Sequence, residues 1–258
     1  MRRKNREKNK NNKKSLIASL VVFFIFLLIV AILYISYIVS KLEKFTYVEK
    51  TSDNGALITI VDSKSDKVVS YKINPDITIA SARGLGEYRL ESLWILGDKE
   101  GYGGRLVSES IASNYLIPVY LWKNGENSNL SNYQKIKVRM ISKQDTSEKV
   151  DLKEKDLPDS ILINFIDNNI QESEIRVFVD DMTGDPEVIT RVSSIIGTIG
   201  TKVSGYSKGY DENLDCELYG QDIDVLEVFS NVFGCKYLNQ TEGDEVKIKL
   251  GAKFADRF

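Results

Sequence analysis

The chain has 258 residues, 42% of them hydrophobic and 28% charged, with two cysteines and no histidine. Without histidine it lacks the commonest general base and metal ligand at neutral pH, and two cysteines alone cannot build a structural zinc site. The formal charge of -2 conceals a split, because residues 1–14 carry eight Lys or Arg against Glu7, leaving 27 basic and 36 acidic residues in the remainder; so acidic a remainder excludes general nucleic-acid binding, which needs many phosphate-neutralising cations.

Residues 1–14 read as a basic tail and 15–40 as a transmembrane helix. Leu16–Val39 contains no charge, Pro or Gly. At about 1.5 Å per residue it spans roughly 36 Å, enough for a hydrocarbon core of about 30 Å. Phe23, Phe24, Phe26, Leu27 and Leu28 cover every face, unlike a helix with one buried stripe. A secretory signal would be shorter and end in a small-x-small site. Tyr34 and Tyr37 fall where interfacial aromatics belong, and the basic cluster ahead of the helix outweighs the mixed charges after it. The expectation is therefore a single-pass cell-membrane protein, in contact with the lipid bilayer through residues 16–39, its N-terminus cytoplasmic and its later domains extracytoplasmic.

After a stalk at 41–52, a first domain is predicted over 53–143. Ala56–Val61 and Val68–Ile73 form a hairpin around the polar turn Asp62–Lys67. A helix follows over Arg105–Tyr115 and a strand over Pro118–Trp122. Gly84-Leu85-Gly86 and Gly101–Gly104 lack the strand-to-helix context of a phosphate-cradling loop and read as turns. Residues 144–173 are charged and polar, the pattern of a linker.

The distal domain, 174–258, shows the clearest periodicity. Glu174–Asp180 alternates as a strand, then Asp185-Pro186 opens a helix whose apolar residues recur until Gly200. Short strands over Lys202–Tyr206 and Leu214–Leu218 precede a second helix from Asp222 to Gly234. Cys235–Leu238 and Glu245–Leu250 supply closing strands. The order, βαββαβ, suits two helices on one face of a small sheet in the ferredoxin-like manner. Cys216 lies in a strand and Cys235 after the second helix; an oxidising exterior permits a disulfide between them, and two buried thiols are the alternative. Asp180, Asp181 and Asp185 read as caps and turn residues.

The strand IRVFVDD, the helix stopped by Gly200, the second helix and the ending KIKLGAKF at Lys247–Phe254 together resemble the LytR C-terminal domain. That module follows LytR-CpsA-Psr (LCP) domains in cell-envelope proteins. The first domain, with Gly103-Gly104 and Ile117-Pro118-Val119 as its best local matches, resembles a truncated, degenerate LCP core. The whole is thus expected to be an α/β (α+β) chain with a transmembrane helix, a small LCP-like α/β domain and a ferredoxin-like LytR C-terminal-like domain.

LCP proteins move glycopolymers from a polyprenyl-pyrophosphate lipid to the cell wall, which implies Mg²⁺, carboxylates to hold it and arginines around the pyrophosphate. Here Asp53 and Asp76 are the candidate carboxylates and Arg83, Arg89 and Arg105 the candidate phosphate contacts. The chain departs from the family pattern. Asn74-Pro75-Asp76 stands where the family has Pro-Arg-Asp, Asn54 occupies the first acidic position with Asp53 beside it, and residues 124–173 hold Arg139 as their single arginine. The expectation is a non-catalytic envelope protein, without cofactor, that binds a wall glycopolymer or an envelope protein. The alternatives are a surviving Mg²⁺-dependent transferase acting on a polyprenyl-phosphate lipid and a purely structural assembly protein.

Overall fold

The computed structural model describes residues 20–33, 44–65, 67–141, 148–152, 157–173, 175–238 and 245–257. The chain divides into two compact units, Met1–Leu42 and Glu43–Phe258.

The first unit contains helix α1, residues 20–33. Its large apolar side chains are exposed around its circumference. The fourteen described residues rise about 21 Å, and a hydrocarbon core is about 30 Å thick. Among the described residues no helix is long and apolar enough to cross a membrane. The predicted transmembrane helix is corrected accordingly, and with it the single-pass localisation and orientation drawn from it. A hydropathy run counts apolar residues, whereas a crossing requires about twenty of them in one helix. Residues 1–14, 16–19 and 34–39, including Tyr34 and Tyr37, lie outside the described residues.

The second unit begins with β1 (Lys44–Lys50), β2 (Ala56–Asp62), β3 (Lys67–Ile73), β4 (Thr78–Ala80) and β5 (Glu87–Arg89). Helices α2 (Leu90–Lys99) and α3 (Gly104–Tyr115) follow, then β6 (Leu121–Asn124), β7 (Asn127–Ser128), α4 (Asn132–Ile141) and β8 (Glu148–Leu152). Six strands form one sheet in the order β7-β6-β1-β2-β3-β8. β1 to β3 are antiparallel; β6 lies parallel to β1 and β8 parallel to β3. Alternation sends Val48, Ile58, Ile60, Val69, Tyr71 and Ile73 to one face, where they pack with Leu90, Leu93 and Trp94 of α2 and Leu106 and Ile111 of α3. The Trp94 indole N–H donates to the Gly55 carbonyl at 3.2 Å, so its burial leaves no orphaned donor. The opposite face gathers Phe45, Tyr47, Val61 and Leu121 around Leu130, with Val138 of α4 beside them.

The expected linker carries β8 on the sheet edge and two short helices, α5 (Asp159–Leu162) and α6 (Asn168–Glu172). Asp167 caps α6 by accepting from the backbone N–H groups of Asn169 and Ile170.

The last part comprises β9 (Arg176–Met182), α7 (Pro186–Ile199), β10 (Val203–Lys208), β11 (Cys216–Tyr219), α8 (Ile223–Phe233), β12 (Lys236–Leu238), β13 (Glu245–Gly251) and α9 (Ala252–Ala255). Asp185 and Asp222 cap α7 and α8 through their carboxylates, and Gly200 and Gly234 end them. Both helices bury one apolar stripe against Val177, Val179, Leu218, Val246, Ile248 and Leu250.

The strand order is β10-β9-β13-β11-β12. The ferredoxin-like expectation is therefore corrected. Here α7 joins neighbouring parallel strands β9 and β10, and α8 joins neighbouring parallel strands β11 and β12. β13 runs between the two pairs, parallel to β9 and antiparallel to β11. Helical and strand periods fix the elements; the seam is set by long-range pairing that no local pattern encodes.

The two sheets belong to one body. Gln134 of α4 donates to Asn231 of α8 at 3.3 Å, and Lys44 Nζ donates to the Ile166 carbonyl at 2.5 Å. Gly234 has φ 65°, and a Cβ there would lie 2.2 Å from the Tyr120 ring, so this junction requires glycine twice over.

Candidate functional site

The densest charge cluster centres on Glu109, which α3 buries to 3% exposure. Arg83, in a 3₁₀ turn over Ala82–Gly84 and held at φ 65°, reaches it with a two-pronged contact: Nε to Oε2 and Nη2 to Oε1, both 2.9 Å. The Arg83 guanidinium also sits 4.2 Å from the centre of the Tyr102 ring. Nε of Arg105, one turn earlier on α3, and Nε of Arg257 are each 3.9 Å from Glu109 Oε1. Arg257 is itself buried, donates to the Phe233 carbonyl at 2.7 Å and pairs with Asp215. Burial pushes the Glu109 carboxyl upward, and the three guanidiniums oppose that shift. Arg105 Nε is buried without a hydrogen-bond partner.

The predicted site residues separate. Arg83 and Arg105 meet at Glu109. Arg89 instead stands at the end of β5, 3.8 Å from Asp76 and 3.7 Å from Glu91, with Asp76 80% exposed. Asp53 pairs with Lys72 Nζ at 2.5 Å and accepts from the Thr51 hydroxyl. Those two hydrogen bonds hold its carboxyl down, at about 2. Among the described residues, no group of three or more His, Cys, Asp or Glu is placed to hold a metal ion. Cys216 and Cys235 are joined by a disulfide, their Cα atoms 4.7 Å apart across the β11–β12 pair. Glu109 and Arg257 were missed by sequence reasoning. The available signal for Glu109 was its position inside Leu106–Ile111, where the other residues are apolar or small.

A second region is the face of the five-stranded sheet opposite α7 and α8. Register places Gly205, Phe178, Lys247, Tyr219 and Leu238 in one row across all five strands. The next row is Ser207, Asp180, Lys249, Glu217 and Lys236, with alternating charge. Phe178 lies across Gly205, where a Cβ would come within 2.4 Å of its ring. Lys247 Nζ reaches Asp180 at 2.6 Å and the Ser207 hydroxyl donates to the same carboxylate at 2.7 Å. Burial would raise the Asp180 carboxyl, but these contacts outweigh it and hold it below its ordinary value. The Tyr219 hydroxyl donates to Glu217 at 2.6 Å, and that bond pushes the phenol up to about 12. Two aromatic rings thus flank a lysine on the face turned away from α7 and α8.

No family model matches the chain, and no curated protein matches it. Solved structures similar to parts of it include a transcriptional regulator from Enterococcus faecalis, 15% identical, over 33% of this chain and 32% of that one, with a TM-score of 0.27. The aligned part is about a third of that regulator, and the likeness is too slight to bear on fold or function.

Proposed function

We propose that this chain is a non-catalytic protein of the cell envelope that binds a wall glycopolymer across the open face of its second sheet. The observation that carries the reading is the row in which Phe178 and Tyr219 flank Lys247. The strands that carry the two rings are about 10 Å apart, and the rings offer apolar surface to sugar rings along an extended chain. The adjacent row supplies donors and acceptors for hydroxyl groups at short intervals. The alternating charges leave the face close to neutral, which favours a hydroxyl-rich polymer over a densely charged one.

Two further observations support recognition over phosphotransfer. Glu109 occupies Arg83 and Lys72 occupies Asp53, whereas a transferase of the resembled kind needs such groups turned to a pyrophosphate and its Mg²⁺. The Cys216–Cys235 disulfide is in keeping with oxidising surroundings. An envelope protein as ligand is the second reading, favoured by the exposed rings of Tyr206, Tyr210 and Tyr237 around the same sheet.

The test is retention of the full chain on purified wall glycopolymer. Phe178→Ala and Tyr219→Ala are each expected to weaken binding roughly two- to ten-fold, the range for loss of one aromatic contact. Equal retention of both variants, or no retention of the parent chain, overturns the reading. Mg²⁺-dependent binding of a polyprenyl phosphate, lost in Asp76→Ala, would support the transferase instead.

A further inference from the structure

The outer strands of the two larger sheets are β7, β8, β10 and β12. An outer strand leaves a row of N–H and C=O groups with no strand beside it, and proteins blunt such edges by shortening, charging or bulging them. β7 has two residues and β12 three, and β8 carries Glu148, Lys149 and Asp151 among its five. β10, Val203–Lys208, is the longest of the four, and Lys208 is its single charged residue. Its bulge falls between Val203 and Gly205, so from Gly205 onward it keeps unbroken register with β9. The Gly209 N–H donates to the Asp181 carbonyl at 2.8 Å, which turns the backbone groups of Gly205, Ser207 and Gly209 toward β9. By alternation, the N–H and C=O of Tyr206 and Lys208 point outward. Tyr206 is 57% exposed although it shares a face with the buried Val179, so α7 stops short of this edge. On the opposite face Phe178 lies over Gly205.

We infer that β10 pairs antiparallel with β10 of a second copy of this chain, in a register centred on Tyr206, so that the two sheets become one. In that register Tyr206 exchanges both of its outward hydrogen bonds with its counterpart, and the two rings meet as a cross-strand aromatic pair. Lys208 then faces Ser204 and Lys202 faces Tyr210, so no lysine meets a lysine. Slipping the register two positions toward the N-terminus sets Lys202 against Lys208, and slipping it by one sets outward groups against inward ones. A contact between β10 and β12 would have three residues to pair with and would not close on itself. A free extended peptide meets the same backbone groups, but one cation does little to select its sequence, whereas a second copy is matched residue for residue. The pairing engages the outer edge rather than the row through Phe178, Lys247 and Tyr219, so it stands or fails apart from glycopolymer binding.

A single strand pair lies at the low end of specific interfaces, below about 1,200 Å², so the association is expected in the micromolar range or weaker. The experiment is hydrogen exchange of the full chain, read by mass spectrometry over rising protein concentration up to about 1 mM, in non-ionic micelles that cover the exposed apolar side chains of α1. Exchange across residues 203–210 is expected to slow as concentration rises. Tyr206→Lys, at an exposed position, sets two cations across the axis and should shift that response to roughly ten-fold higher concentration or beyond. Tyr206→Cys is the second probe. Opposed residues of a hydrogen-bonded pair have Cα atoms about 5.5 Å apart, within disulfide range, and the native cysteines are already joined. Mild oxidation should link this variant into dimers and leave Tyr237→Cys, exposed on β12, monomeric. Exchange across 203–210 that does not change with concentration, an undiminished response in Tyr206→Lys, or equal cross-linking of the two cysteine variants each overturns the inference.

Discussion

At the scale of single residues, Glu109 is where charge from distant parts of the chain converges. Arg83, Arg105 and Arg257 all approach one buried carboxylate, and two of these guanidiniums are themselves largely withdrawn from water. Removing the carboxylate leaves them facing one another in a poorly solvated space. Glu109→Ala is therefore expected to destabilise the fold by roughly 3–5 kcal/mol, the range for breaking a buried pair from one side. Urea unfolding measures it; a loss under about 1 kcal/mol would mean that water already screens the cluster. The sequence discloses Arg83 and Arg105 as cations on separate elements, but their common partner is a side chain inside an otherwise apolar helix face. Arg257 reaches it from beyond β13, a contact between residues 148 positions apart in sequence that no spacing rule anticipates. Asp53 and Asp76 are legible as acidic residues near two turns, and their fates differ because Lys72 lies on the strand beside one and Arg89 on the surface beside the other.

At the scale of elements, local signals carry far. Asp185, Pro186 and Gly200 bracket α7, and Asp222 and Gly234 bracket α8, because caps are decided within one turn of backbone. α2 and α3 lack such brackets at their starts: neither Arg89 nor Gly103 offers a side-chain cap. The three-residue strand β12 is tied to β11 by Cys216–Cys235, separated by 19 positions in sequence. For a loop of that length the chain-entropy model gives about 3 kcal/mol. Reduction is expected to lower the urea midpoint by a corresponding amount in the parent chain and to leave a Cys216→Ser/Cys235→Ser variant unmoved. An unchanged midpoint on reduction, or thiol labelling of the untreated denatured protein, contradicts it.

At the scale of the molecule, residues 43–258 form one compact unit although the sequence suggests two domains and a linker. The segment after α4 looks like a tether because it is charged, yet β8 within it pairs with β3 at the sheet edge, where charged strands are tolerated and discourage aggregation. Tyr120 against Gly234, Gln134 with Asn231 and Arg257 near Glu109 then join the two sheets. Calorimetry of this unit should give one transition, with calorimetric and van't Hoff enthalpies in agreement. Two resolved transitions would show that the sheets melt apart. The placement of β13 also sets an order of events during synthesis. It leaves the ribosome after all four strands it joins, so the nascent chain first holds two separate ribbons, each with a bare edge where the other should be. Until the last strand slots between them, those edges are open to a neighbouring chain adding a strand of its own.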